Sequence, residues 1–181
     1  MKITVVGTGN MGSAFAKQLS AAGHIVRITG RDIGKASTLA AQFVNVSAYP
    51  SAEALADSDV VVVATAYEDA VKALQSLGDL TGKVVIDITN PLSADYMSLT
   101  IGHVTSASEE IARALPQAQV VKAFNTLFAQ VLADGPTFAH DQTGSVFVAS
   151  DSERAKQTAI ALAPHELTFA NTASYGKIEE R

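Results

Sequence analysis

A short apolar run, Ile3-Thr4-Val5-Val6, leads directly into Gly7-Thr8-Gly9-Asn10-Met11-Gly12, and Ser13-Ala14-Phe15-Ala16-Lys17-Gln18-Leu19 leads out with helical spacing. Strand, glycine-rich turn and helix in immediate succession leave a chain few folds to adopt. The spacing G-x-G-x-x-G alone is weak evidence, but between a first strand and a first helix it is much stronger. Gly7 permits the tight turn, Gly9 lets a dinucleotide pyrophosphate approach the backbone, and Gly12 lets the helix pack closely on the strand. The pyrophosphate would then lie on unpaired N–H groups at the helix N-terminus. The alternative is a glycine-rich turn without a ligand.

Strand and helix patterns alternate almost throughout the rest of the chain. This predicts an α/β, Rossmann-type fold: a doubly wound, mostly parallel sheet in three α/β/α layers. Strands are expected at 2–7, 25–29, 44–46, 60–63, 84–88, from 120, at 145–148 and at 167–169. The continuous valines at 60–63 indicate burial on both faces. The first helix runs to about 22, with Met11, Phe15, Leu19 and Ala22 as its buried stripe. Further helices are expected at 33–43, at 51–55 with Ser51 as cap, from 67, at 108–115, at 126–132, and to 162 behind a Ser152 cap.

At 181 residues the chain is expected to form a single domain. The net charge of -5 gives no basic footprint for nucleic acid. With no cysteine, disulfides and thiolate chemistry are excluded. No apolar run approaches membrane-spanning length, and the first strand begins too early to follow a signal peptide, so a cytoplasmic protein is expected. The stretch 91–104 fits neither period, yet it holds Leu92, Tyr96, Met97, Leu99 and Ile101. Such a loop covers its own sheet edge, lines a pocket or meets a second subunit, and a twofold homodimer is expected on the last reading.

The end of the second strand bears on which dinucleotide is taken. An NAD site usually places an acid there for the ribose 2′-OH. Here Thr29 and Gly30 occupy that place, followed by Arg31, with Lys35 one helical turn on. A hydroxyl, a free N–H and a guanidinium suit a 2′-phosphate, which points to NADP. Asp32 argues the other way by its spacing from Gly12, but it precedes a helix and reads better as its N-terminal cap.

With these segments in view, the chain resembles the F420-dependent NADP oxidoreductases, small proteins that pass hydride between NADP(H) and a deazaflavin. The membrane ferric reductases carry a related domain. The resemblance rests on the glycine fingerprint, Thr29-Gly30-Arg31, Thr89-Asn90-Pro91-Leu92, Thr105-Ser106-Ala107-Ser108-Glu109-Glu110 and Val121-Lys122-Ala123-Phe124-Asn125-Thr126. It implies that Thr8, Asn10 and Met11 sit on the pyrophosphate, and that Thr29, Gly30 and Arg31 hold the 2′-phosphate. Ala64, Thr65 and Ala66 would follow the nicotinamide-side ribose, and Asn90 and Pro91 would shape the nicotinamide pocket. Leu92, Phe124, Asn125 and Thr126 would face the second substrate, a deazaflavin (F420), a flavin or another planar acceptor. Asn125 also reads as a helix N-cap, and Asn90-Pro91 as a strand terminator. In the family, further elements follow the helix ending here near 162; this chain continues only through Asn171-Thr172-Ala173-Ser174 to Tyr175-Gly176-Lys177 and its last residues, so 164–181 is expected to be a shortened segment.

No acid–base constellation and no metal-ligand spacing stands out, since His24, His103, His140 and His165 fall in separate segments. Hydride exchange between two ring cofactors needs orientation and exclusion of water more than a protein proton donor. An NADP-dependent oxidoreductase is therefore expected, with a non-catalytic NADP-binding or redox-sensing module as the alternative.

Overall fold

The computed structural model describes residues 1–135, 145–162 and 168–173. The segments 163–167 and 174–181, which hold most of the expected C-terminal shortening, lie outside the described residues, as do His140 and His165. The elements follow in the order β1 (Lys2–Val6), α1 (Asn10–Ala21), β2 (Ile25–Thr29), α2 (Ile33–Ala40), β3 (Val46–Ala48), α3 (Ser51–Ala54), β4 (Val60–Val63), α4 (Tyr67–Gln75), β5 (Val84–Asp87), α5 (Ala107–Ala114), β6 (Gln119–Lys122), α6 (Ala129–Asp134), β7 (Ser145–Ser150), α7 (Glu153–Leu162) and β8 (Thr168–Ala173).

The strands form one sheet in the order β3-β2-β1-β4-β5-β6-β7-β8. Strands β1 to β6 are parallel, while β7 runs antiparallel to β6 and β8 runs parallel to β7. Helices cover both faces, and each face has its own apolar cluster. One gathers Ile3, Val5, Phe15, Leu19, Val62 and Ile86; the other gathers Val6, Val61, Val63, Leu74, Val85 and Ile111. All four valines of β4 are buried. Each is worth roughly 1.5–3 kcal/mol relative to exposure, which fixes this strand at the sheet's centre.

Local chemistry sets the helix ends. The Asp32 carboxylate accepts the Lys35 N–H at 3.1 Å, as expected of a cap. Ser152 does the same for Ala155 at 3.2 Å. Helix α5 opens with a reciprocal box: Ser106 Oγ accepts from the Glu109 N–H, and Glu109 returns a bond to the Ser106 N–H at 2.6 Å. Three expectations need correction. Ser51 does not cap α3; Pro50 precedes the helix, and the Ser51 hydroxyl lies 3.3 Å from Thr29 Oγ1. Ala22 is exposed and lies beyond the buried stripe of α1. Strand β3 starts two residues later than expected, because Val44 is exposed and the turn through Asn45 takes a left-handed φ of 59°.

Candidate functional site

The pairing registers carry one row of residues across five parallel strands: Thr29, Val6, Val63, Asp87 and Lys122. The residues just past that row form a single rim at the carboxyl ends of the strands, where ligands bind in open α/β sheets. Two hollows open along it, each lined in part by the N-terminal turn of α1. The first, about 560 Å³, lies between Thr8, Gly9, Asn10 and Ser13 on one side and Asp32, Gly34, Lys35 and Thr38 on the other. The second, about 430 Å³, is lined by Met11, Ala64, Thr65, Ala66, Tyr67, Thr89, Asn90, Leu92 and Tyr96, among others.

The three fingerprint glycines differ in what requires them. A Cβ on Gly7 would come within 2.4 Å of the Ala64 carbonyl oxygen, and its φ of +126° disfavours any side chain. One on Gly12 would lie 2.0 Å from the Gly7 carbonyl oxygen. Gly9 has φ -78° and ψ -170°, open to any residue, and its Cβ would meet nothing within 4 Å. The fold needs Gly7 and Gly12. The space over Gly9 is a cradle that a side chain would fill, and it faces a helix start with no side-chain cap and no acid in its first turn. Unpaired N–H groups there suit an anion. Helix α4 also opens on the rim, but Glu68 and Asp69 in its first turn repel one.

Arg31 is exposed, and its guanidinium turns toward α4 in a weak surface pair with Asp69 at 3.6 Å, while the neighbouring Asp32 lines the first hollow. Gly30 is half-buried, with Thr8 Cγ2 3.5 Å from where its Cβ would lie. Thr29 requires a correction. It is fully buried and its hydroxyl faces Ser51, so it does not offer that hydroxyl to a phosphate on the rim. Phe124 requires another. It is 1 % exposed, and its ring stacks edge-on against Phe15 with centroids 5.3 Å apart, facing the core. Asn125 does not cap α6; that place belongs to Phe128, and the helix starts at Ala129. Instead Asn125 joins Asn90. The Asn90 Nδ2 donates to the Asn125 carbonyl at 3.0 Å, and the Asn125 Nδ2 donates to Asn90 Oδ1 at 3.1 Å. Pro91 is half-buried beside Asn90, and Thr126 is exposed.

Under this rim lies a polar bracket that sequence reasoning passed over. Asp87, fully buried, accepts from the Thr89 N–H at 2.8 Å, the Ser108 hydroxyl at 2.5 Å and the Lys122 ammonium at 3.0 Å. Lys122 also donates to the Thr89 carbonyl. Burial pulls the Lys122 ammonium below the ordinary lysine value, and the neighbouring Asp87 charge only partly pushes it back. The folded state thus holds this proton less firmly than the unfolded chain does. At neutral pH the lysine carries a penalty, lifted as pH rises through its folded value. Burial, helped by Glu110 and Asp87, holds the Tyr67 hydroxyl above the usual tyrosine range, so at neutral pH it stays a donor on the wall of the second hollow. The signal for this bracket was present: an aspartate closing an apolar strand, with a lysine at the end of the next.

Among the described residues, Thr89 Oγ1 is the buried side-chain polar atom without a hydrogen-bond partner. A hydroxyl left so costs about 1–3 kcal/mol. Thr89→Val is therefore expected to leave the melting temperature of the ligand-free protein unchanged or raised, measured by thermal unfolding. A fall of several degrees would show that the hydroxyl has a structural partner. Among the described residues no group of His, Asp and Glu could hold a metal ion.

The parallel rim, the open glycine cradle and the uncapped helix define a dinucleotide-binding Rossmann domain. Comparison with known proteins is more specific. A family model described as "NADP oxidoreductase coenzyme F420-dependent" matches residues 2–91. The crystal structure of a candidate F420-dependent NADP-reductase from Arthrobacter sp. FB24 shares 30% identity with a TM-score of 0.85, covering 96% of this chain and 85% of that one. A hypothetical protein from Sinorhizobium meliloti shares 26% identity with a TM-score of 0.83, over 96% of this chain and 85% of its own. Metalloreductase STEAP3 of Rattus norvegicus is 29% identical over 163 residues, 90% of this chain but 31% of the relative. The chain thus spans about a third of the length of the curated relatives it matches. It belongs to the F420-dependent NADP oxidoreductase family, a family of NADP-dependent reductases. No described helix is long and apolar enough to cross a membrane.

Proposed function

We propose that this domain binds NADP(H) along the rim and serves hydride transfer between the nicotinamide and a planar acceptor such as a deazaflavin or a flavin. The observation that carries the reading is Gly9: neither the backbone nor the packing asks for glycine there, whereas a close-lying pyrophosphate does. The residues fit such a cofactor. Thr8, Gly9, Asn10 and Met11 would hold the pyrophosphate on α1, while Gly30, Arg31 and Lys35 would surround the 2′-phosphate. Ala64, Thr65, Ala66, Asn90 and Pro91 would border the nicotinamide half. When bound, the reduced cofactor supplies the hydride. The chain's own work is to orient the rings and exclude water. Leu92 and Asn125 would meet the acceptor. The direct test is NADPH oxidation with F420 and with FMN as acceptors. NADPH binding without turnover of either would favour a redox-sensing module.

Cofactor choice gives a second test. NADP(H) is expected to bind at least tenfold more tightly than NAD(H), about 1.4 kcal/mol. Arg31→Ala should remove most of that advantage and leave NAD(H) nearly unchanged. Equal affinities in the parent protein, measured by calorimetry, would sink the assignment and turn attention to Asp32, which lines the first hollow with Lys35.

The loop 91–104 is proposed to meet a second copy of the chain. Leu92 and Leu99 form an isolated antiparallel bridge, yet Tyr96, Met97, Leu99 and Val104 are 77%, 83%, 57% and 98% exposed. These side chains do not cover the sheet's own edge, and such a patch beside a cleft marks a contact surface. Tyr96→Glu with Leu99→Glu should shift a dimer to monomer in light scattering. A parent protein that stays monomeric at high concentration would contradict the idea.

A further inference from the structure

We infer that Phe124 is a positioning residue: its buried ring, locked against Phe15, holds the turn that carries Asn125 across to Asn90 and so sets the shape of the nicotinamide end of the groove. This rests on the nicotinamide placement proposed above. Three observations meet at this residue. Phe124 takes a φ of +60°, a left-handed conformation that a bulky residue rarely adopts without being forced. Its ring is fully enclosed and meets Phe15 edge to face, at an interplanar angle of 86°. The residue after it makes both hydrogen bonds to Asn90.

The order of contacts explains why the turn exists. The Ala123 N–H still bonds the Asp87 carbonyl at 3.1 Å, continuing the ladder with β5. One residue later the chain leaves the sheet, and the Phe124 carbonyl accepts from the Leu127 N–H at 3.1 Å. An extended residue 124 would continue the strand; the left-handed one redirects Asn125 toward β5. Glycine would adopt this φ more freely. The chain uses phenylalanine, whose ring instead fixes the turn to α1. Phe15 belongs to the same helix as the glycine cradle. The phosphate end of the groove and its nicotinamide end are thereby joined through two aromatic rings and one pair of amides.

The test compares NADPH with 2′-phospho-ADP-ribose, which lacks only the nicotinamide, by calorimetry on the full chain. Asn125→Ala and Phe124→Leu should each weaken NADPH at least fivefold and change 2′-phospho-ADP-ribose less than twofold. The double variant Phe124→Leu with Asn90→Ala, in which both hydrogen bonds are gone, should bind NADPH no worse than Asn90→Ala alone, although it melts at a lower temperature. Phe15→Leu removes the same ring contact from the other side, should give the same selective loss, and replaces Phe124→Leu if that variant does not fold. Equal weakening of both ligands, unchanged NADPH binding, or losses that multiply in the double variant would overturn the inference. A parent protein that binds the two ligands equally would overturn the nicotinamide placement itself, and this inference with it.

Discussion

Gly9→Val is expected to lower NADP(H) affinity at least a hundredfold while the protein stays folded. The ratio corresponds to about 2.7 kcal/mol. The branched side chain would stand in the space directly over the uncapped start of α1, where the pyrophosphate is proposed to lie. The fold has no objection: the backbone there is extended, and a Cβ would touch nothing. The structural cost is a poorer helix start, on the order of 1 kcal/mol, or a few degrees in melting temperature. Gly12→Ala should behave oppositely, since its Cβ would lie 2.0 Å from the Gly7 carbonyl oxygen. The pair separates a glycine kept for the ligand from one kept for packing. Melting curves beside cofactor titrations decide it. Undiminished affinity in Gly9→Val would make the fingerprint a turn without a ligand.

Lys122→Met should destabilise the protein by about 3 kcal/mol, because removing one partner leaves the other charge buried and uncompensated. Asp87 is fully buried and would keep only the Ser108 hydroxyl and the Thr89 N–H. The change would also free the Thr89 carbonyl. Replacing both partners, Asp87→Asn with Lys122→Met, should recover part of the loss, since no buried charge then remains. Urea unfolding of the two variants checks this. A single variant as stable as the parent would mean that water reaches Asp87 readily. The net lowering of the Lys122 ammonium already indicates that attraction to Asp87 does not fully repay its burial. What the pair secures is the geometry of the Thr89 turn beneath the second hollow.

Much of the fold can be read from residues alone. Strands β1, β2, β4 and β5 stand where their β-branched runs place them, to within a residue at either end, because strands buried on both faces need apolar residues continuously. The reversal of β7 was not legible. Its alternating burial, exposed at Ser145 and Phe147 and buried at Val146 and Val148, says that one face is covered but not which way the strand runs. The rim segments were legible as strand ends, but not the direction of each side chain. Thr29 and Phe124 both sit at the right ends of the right strands and both turn inward, because helices cover the two faces and offer apolar surroundings on either side. The Asp87–Lys122 bracket escaped for a related reason. Two charges far apart in sequence give no local period, and only the pairing of β5 with β6 brings them together.

The strand order also governs how the chain can fold as it is made. Strand β1 lies inside the sheet, where Ile3 pairs with Val26 on one side and with Val60 on the other. At about 5–20 residues per second, β1 waits roughly 3–12 s of synthesis for its second neighbour to be completed. Until then one flank of Ile3, Val5 and Val6 stays open to any passing strand, and non-local parallel pairing is slow in any case. Strand β4 then waits in turn for β5, with four consecutive valines on the open side. The order that gathers every rim residue at one end of the sheet therefore leaves apolar interior strands with one flank unpartnered while the intervening elements are made.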